Sequence, residues 1–203
     1  MLLGAAAAAS AHPDPSALLV WGDSLSSAFG IPVEAGWVRL LQKRLDQKGY
    51  PYVVVNGSVT GETTAGGRAR LPDALHRHRP AVVLIELGGN DGLRGLPAKA
   101  LRQNLAAMVT MARDSGAKVA VFAMEMPPNY GQTYRDAYQK AFATVARQQQ
   151  VTLVPFLLAP LLGHPDLFQE DGIHPKAEAQ AQIVDAVWPS IEPLLGAAAA
   201  QAR

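Results

Sequence analysis

The sequence predicts an α/β protein: a three-layer α/β/α sandwich around a five-stranded parallel sheet in flavodoxin-like order 2-1-3-4-5. Two observations carry this. Five short apolar runs recur along the chain without polar alternation, as in parallel strands covered on both faces. Helical patterns separate them, and strands alternating with helices build a parallel sheet through right-handed crossovers.

The first run is Ala17–Trp21. Trp37, Leu41 and Leu45 follow at i, i+4, i+8, with Leu40 beside them and Gly49 placed to stop the helix. The second run, Tyr52–Val55, is rich in β-branched residues. A helix is expected from Thr64 to His78, then a third strand at Ala81–Leu87. Pro97 suits the first turn of a helix whose apolar face is Leu101, Leu105, Met108 and Ala112, ended by Gly116. The fourth strand is Lys118–Ala123, and Tyr134 to Gln149 reads as a more polar helix. The fifth strand is Val151–Val154. A last helix after Pro175 turns Ala179, Ile183, Ala186 and Val187 inward, and Pro189 should end or kink it.

The 203 residues suit one domain, expected over residues 17–195. Residues 1–16 read as a signal-peptide remnant or a disordered leader. Leu2 to Ala9 is a short apolar run, and Ala9-Ser10-Ala11 fits a small-residue cleavage site, although the usual Lys/Arg start is missing. The expectation is a periplasmic or secreted protein, otherwise a cytoplasmic one. Residues 196–203 form an Ala-rich tail. The apolar run is too short to span a membrane, so no stable membrane insertion is expected. A net charge of +1 gives no reason to expect nucleic-acid binding, and Arg68, Arg70, His76, Arg77, His78 and Arg79 read as a solvated helix face. With no cysteine, thiolate catalysis and disulfides are excluded. No metal or other cofactor is expected. His76 and His78 point to different helix faces, and the Asp171–His174 pair has no evident third ligand.

The polar motifs gather at the carboxyl ends of the strands, where open α/β sheets bind ligands. Gly22-Asp23-Ser24-Leu25 follows the first strand, Asn56 to Gly61 the second and Gly88-Gly89-Asn90-Asp91 the third. Asp171-Gly172-Ile173-His174 follows the fifth after a longer loop. A serine hydroxyl needs a base to take its proton. His174 can be that base for Ser24, and Asp171, three residues earlier, can orient the ring. An oxyanion needs preorganised donors, here the Ser24 and Gly61 backbone N–H groups and the Asn90 amide.

Each motif has a plainer reading when taken alone. Ser24 could be a turn or cap residue, Asn90-Asp91-Gly92 and Asp171-Gly172 turns, and His174-Pro175 a helix start. All of them falling on one rim would then be coincidence. The last glycine of G-x-S-x-G is absent after Ser24, which disfavours the α/β-hydrolase elbow. No phosphate-cradling glycine motif follows a strand. Met124, Met126 and Phe168 read as core or as the wall of an acyl groove.

The four blocks resemble those of the SGNH (GDSL-type) hydrolases. The strings Leu18–Ser24, Glu86–Gly95, Pro127–Gly131 and Asp171–Pro175 are similar to the bacterial multifunctional acyl-CoA thioesterase/lysophospholipase/arylesterase group, with likeness from about Ala17 to Leu195. The resemblance implies a cofactor-free serine esterase with the three-layer fold of that superfamily. It also implies a catalytic Ser24, Asp171 and His174, and substrate contacts from Asp23, Leu25, Gly92, Leu93, Arg94, Met126 and Ile173. It places the second-block oxyanion glycine at Gly61 rather than Gly57. This chain departs from relatives by carrying Gly57 for Ala and Glu62 for Asp, and by placing Glu125 beside the expected groove. Gly92 to Leu96 is similar to a mobile segment that covers the acyl chain in relatives. The expected partner is a small acyl ester or thioester bound by a monomer. The alternatives are a carbohydrate O-deacetylase on the same residues and a non-catalytic lipid-binding module.

Overall fold

The computed structural model describes residues 15–196. Both tails therefore lie outside the described residues, and with them most of the leader and its cleavage motif. Strands β1 (Ser16–Gly22), β2 (Tyr52–Asn56), β3 (Val82–Glu86), β4 (Lys118–Phe122) and β5 (Thr152–Val154) pair in parallel in the order β2-β1-β3-β4-β5. This is the predicted topology, with strand ends shifted by a residue or two.

Period-two alternation sends even and odd strand residues to opposite faces. Leu18, Val20, Val82, Leu84, Ala120 and Phe122 pack against α1 (Trp37–Gln47) and α6 (Gln180–Ile191). Leu19, Trp21, Val83, Ile85, Val119 and Val121 face α2 (Thr64–His78), α4 (Ala98–Asp114) and α5 (Gln132–Gln149). Both faces are buried, which is why the strands read as unbroken apolar runs. Trp37, Leu41 and Leu45 are the buried ridge of α1, and Leu101, Leu105, Met108 and Ala112 that of α4.

The helix stops act as expected. Gly49 and Gly116 take left-handed φ values of +73° and +90°, and each donates its N–H to the end of the preceding helix. Pro97 sits one residue outside α4, at its N-cap. Two prolines behave otherwise. Pro72 lies inside α2, and α6 runs past Pro189 to Ile191 before a 3₁₀ turn at Glu192–Leu194. Packing of Val187, Trp188 and Ile191 into the core outweighs the lost backbone bond, so Pro189 does not end the helix. The inward residue there is Val184, with Ala186 only partly covered.

The third motif is also more ordered than a turn. Gly89–Leu93 form a short helix, α3, entered through Gly88 at φ +128°. Asp91 is buried and accepts from the Thr64 N–H at 2.8 Å and from the Thr64 hydroxyl, tying α3 to the first turn of α2. A second set of fastenings comes from α5 and the 3₁₀ turn before it. Tyr130 donates to Leu93 O at 2.9 Å, Tyr134 to Leu96 O at 2.9 Å, and the buried Tyr138 to Gly88 O. Tyr134 and Tyr138 are neighbours at i, i+4 on α5, with ring centroids 5.5 Å apart, and the Tyr130 ring from the preceding turn stacks 6.2 Å from that of Tyr134. The segment Gly88–Leu96, which includes the stretch similar to a mobile loop, is thus held by its carbonyl groups.

Candidate active site

The strand ends deliver the polar residues to one rim. After β1 the chain turns at once: Ser26 N and Ser27 N both donate to Asp23 O, at 3.2 and 3.0 Å. This lifts Ser24 onto the corner. Its Oγ lies 2.8 Å from Nε2 of His174, and the other ring nitrogen, Nδ1, is 2.7 Å from Oδ2 of Asp171. The Phe29 ring packs against the imidazole with centroids 4.5 Å apart. Asp171 is placed by its own turn, since Oδ1 accepts the N–H groups of Ile173 and His174 at 2.9 and 3.0 Å. Desolvation pulls the Asp171 carboxyl upward. The His174 N–H, the His174 ring and the Ile173 N–H outweigh it and hold the group down to about 2. It is therefore ionised throughout the neutral range and can hold the imidazole in one tautomer.

Asn90 reaches the same corner from α3. Its Nδ2 donates to Asp23 Oδ2 at 3.0 Å, while Leu25 N donates to Asp23 Oδ1 at 3.1 Å. Only the NH₂ end of the amide can face a carboxylate, so Asp23 dictates which way the Asn90 amide points. Gly89 allows this approach, because a Cβ there would stand 3.3 Å from Asp23 Oδ2. Asp23 itself is buried, and burial pushes its carboxyl up to about 6 against the pull of the Leu25 N–H, the Asn90 amide and His174.

Gly61 takes φ +76°, a conformation that favours glycine, and its carbonyl accepts from Arg94 Nη2 at 2.9 Å. The preceding Thr60 hydroxyl is 2.9 Å from the Ser27 hydroxyl, which links this loop to the Ser24 corner.

A cleft of about 460 Å³ opens beside Ser24. Its wall includes Asp23, Ser24, Leu25, Asn90, Leu93, Met126, Ile173 and His174 from the sequence expectations, together with Met124, Glu125 and Phe168. Gly61, Gly92 and Arg94 lie outside that wall. Gly92 is buried against Met126, where a Cβ would come 2.1 Å from the sulfur, and Arg94 turns toward Gly61. Sequence reasoning did not find Phe156, Leu158, Leu162 or Arg135 in the cleft, nor Phe29 on the histidine. Nothing in their local sequence marks them, because the 3₁₀ turns that present Leu158 and Leu162 carry no periodic pattern. The spacing of Tyr130, Tyr134 and Tyr138 before Phe142 is a visible signal that a helix over Tyr134 to Gln149 does not by itself interpret.

The two departures in the second block have a structural basis. A Cβ on Gly57 would come 2.5 Å from the Trp21 ring, over which Arg70 also lies, 4.2 Å from the ring centroid. Glu62 reaches Arg70 Nε at 2.7 Å. Gly57→Ala is therefore expected to destabilise the fold by about 1–3 kcal/mol through overpacking, measured as a lower urea midpoint.

The paired acidic groups set a pH dependence. Asp23 keeps its proton in the folded state up to about pH 6, whereas the unfolded chain loses it near 3.8. The folded state binds more protons in that window, so stability falls as pH rises from about 4 to 6. Asp171 acts in reverse: its contribution is present above 3.8 and is lost as pH falls toward about 2. Asp23→Asn should flatten the decline between pH 4 and 6 by on the order of 1–3 kcal/mol in urea titrations. An unchanged slope would mean that Asp23 ionises normally.

Comparison with known proteins agrees with this architecture. Residues 20–182 match the model of the GDSL-like lipase/acylhydrolase family. The chain is 51% identical over 178 residues to "Esterase TesA" of Pseudomonas aeruginosa, covering 88% of this chain and 89% of that protein. It is 46% identical over 170 residues to an arylesterase of Vibrio mimicus, covering 84% and 85%. The crystal structure of the psychrotrophic esterase EstA from Pseudoalteromonas, inhibited by monoethylphosphonate, superposes with a TM-score of 0.84 at 38% identity, covering 88% of this chain and 97% of that one. With the family model spanning most of its length and relatives at this identity, the chain belongs to the GDSL-like lipase/acylhydrolase family.

Proposed function

We propose that this chain is a serine esterase that hydrolyses acyl esters and thioesters, aryl esters among them, through an acyl-enzyme on Ser24. The observation that carries this reading is the unbroken Ser24–His174–Asp171 hydrogen-bond chain at the mouth of an apolar cleft. Ser24 Oγ attacks the acyl carbonyl as His174 Nε2 takes the hydroxyl proton. The Asp171 carboxylate stabilises the imidazolium that forms. Charge on the carbonyl oxygen is met by the Ser24 and Gly61 N–H groups and the Asn90 amide. His174 then protonates the leaving alcohol or thiol as its bond to the acyl carbon breaks. A water, deprotonated by the same ring, attacks the acyl-enzyme and releases the acid.

Leu93, Met124, Met126, Leu158 and Phe168 in the wall favour an acyl chain over the polar mouth that an O-deacetylase of sugars needs. The test is a panel of p-nitrophenyl esters of increasing chain length, acyl-CoAs, lysophospholipids and an acetylated sugar, together with fluorophosphonate labelling. Labelling at Ser24 and preference for acyl chains beyond acetyl are expected. No labelling would sink the reading, and preference for the acetylated sugar would replace it with deacetylation.

The same reading takes residues 17–195 as the working unit, acting as a monomer on a small-molecule substrate. The leader composition supports export to the periplasm or medium. Among the described residues, no helix is long and apolar enough to cross a membrane. N-terminal sequencing of the mature protein tests export.

A further inference from the structure

Glu86 ends β3, in register with Gly22 of β1, and it is fully buried. None of the steps above uses its atoms. We propose that Glu86 is a positioning residue for the nucleophile: a buried carboxyl group that grips the Asp23–Ser26 corner from beneath and so fixes where Ser24 Oγ stands. This rests on Ser24 being the nucleophile.

One oxygen does the gripping. Oε2 accepts the Ser26 hydroxyl at 2.6 Å. Ser26 stands two residues after Ser24, on the same turn. The turn's own bonds, from Ser26 N and Ser27 N to Asp23 O, only close the corner on itself. Glu86 ties that corner to the middle strand of the sheet. Gly22 leaves no slack, since a Cβ there would lie 2.8 Å from Glu86 Oε2 and from Ser26 Cβ.

The surroundings of Glu86 also disfavour its charged form. Burial, and then the nearby Asp23, push it well above the ordinary carboxylate range. A second full negative charge under the corner would oppose the oxyanion that the site must stabilise. The other oxygen, Oε1, has no protein partner, so the contribution of Glu86 comes through one acceptor oxygen that an amide also supplies.

The experiment compares kcat and KM for p-nitrophenyl butyrate, and melting temperature, in Glu86→Leu, Glu86→Gln and Ser26→Ala. Glu86→Leu should lower kcat by about 10–100-fold with KM within about twofold, as a nucleophile displaced by a fraction of an ångström requires. Glu86→Gln should restore most of that loss, and Ser26→Ala, which removes the bond to Oε2 but keeps the carboxyl packed against Gly22, should fall between. A Leu variant with wild-type kcat overturns the proposal, as does a Gln variant as impaired as the Leu one. If Glu86→Leu fails to fold, Ser26→Ala decides: reduced kcat at unchanged KM supports the proposal and unchanged kcat overturns it. A wild-type protein that fluorophosphonate does not label would instead defeat the nucleophile reading itself.

Discussion

Replacing Ser24 by alanine removes the proposed nucleophile, and turnover of a short aryl ester is expected to fall by roughly 10⁴–10⁶. The fold should survive, because Ser24 is only partly buried and its hydroxyl bonds to His174 alone. The residual rate reflects whatever the oxyanion donors contribute to attack by water. Fluorophosphonate labelling should vanish in the same variant. Labelling that persists, or a loss under tenfold, would place the nucleophile elsewhere.

Asn90→Ala is the second large effect. Removing one oxyanion donor costs about 10²–10³ in kcat. The loss should appear in kcat with little change in KM, since the bond strengthens as charge develops on the oxygen. The variant also leaves Asp23 Oδ2 without the Asn90 amide as its partner. An uncompensated buried carboxylate resists ionisation more strongly, so Asp23 should titrate higher still. Near-wild-type turnover would remove Asn90 from the site, whatever its distance from Asp23.

Much of this architecture was legible because strands buried on both faces leave an unmistakable pattern. Val82–Glu86 has no polar residue until its last position, and that exception proved to be a buried carboxyl rather than a strand end in solvent. The convergence of Ser24, Asn90, Asp171 and His174 on one rim was legible because each follows a strand or its loop. Where the reading fell short, tertiary contact decided. Pro189 looks like a stop in isolation, yet Trp188 and Ile191 beside it are drawn into the core. Arg94 lies in a string typical of its family, but its guanidinium turns to Gly61 O instead of the cleft. The cleft wall was the least legible part. Leu158, Leu162 and Phe168 meet there only after the chain has turned through short 3₁₀ pieces whose course no local spacing encodes.

The tyrosine ladder has a consequence for how the substrate range of this enzyme can drift. Its hydroxyls grip main-chain oxygens at residues 88, 93 and 96, so the fastening is blind to the side chains that segment carries. Leu93, which lines the cleft, is therefore open to exchange for a bulkier or smaller residue while the backbone course stays pinned. Selectivity can be retuned there one side chain at a time, whereas each lost phenol would free one point of the backbone beneath it.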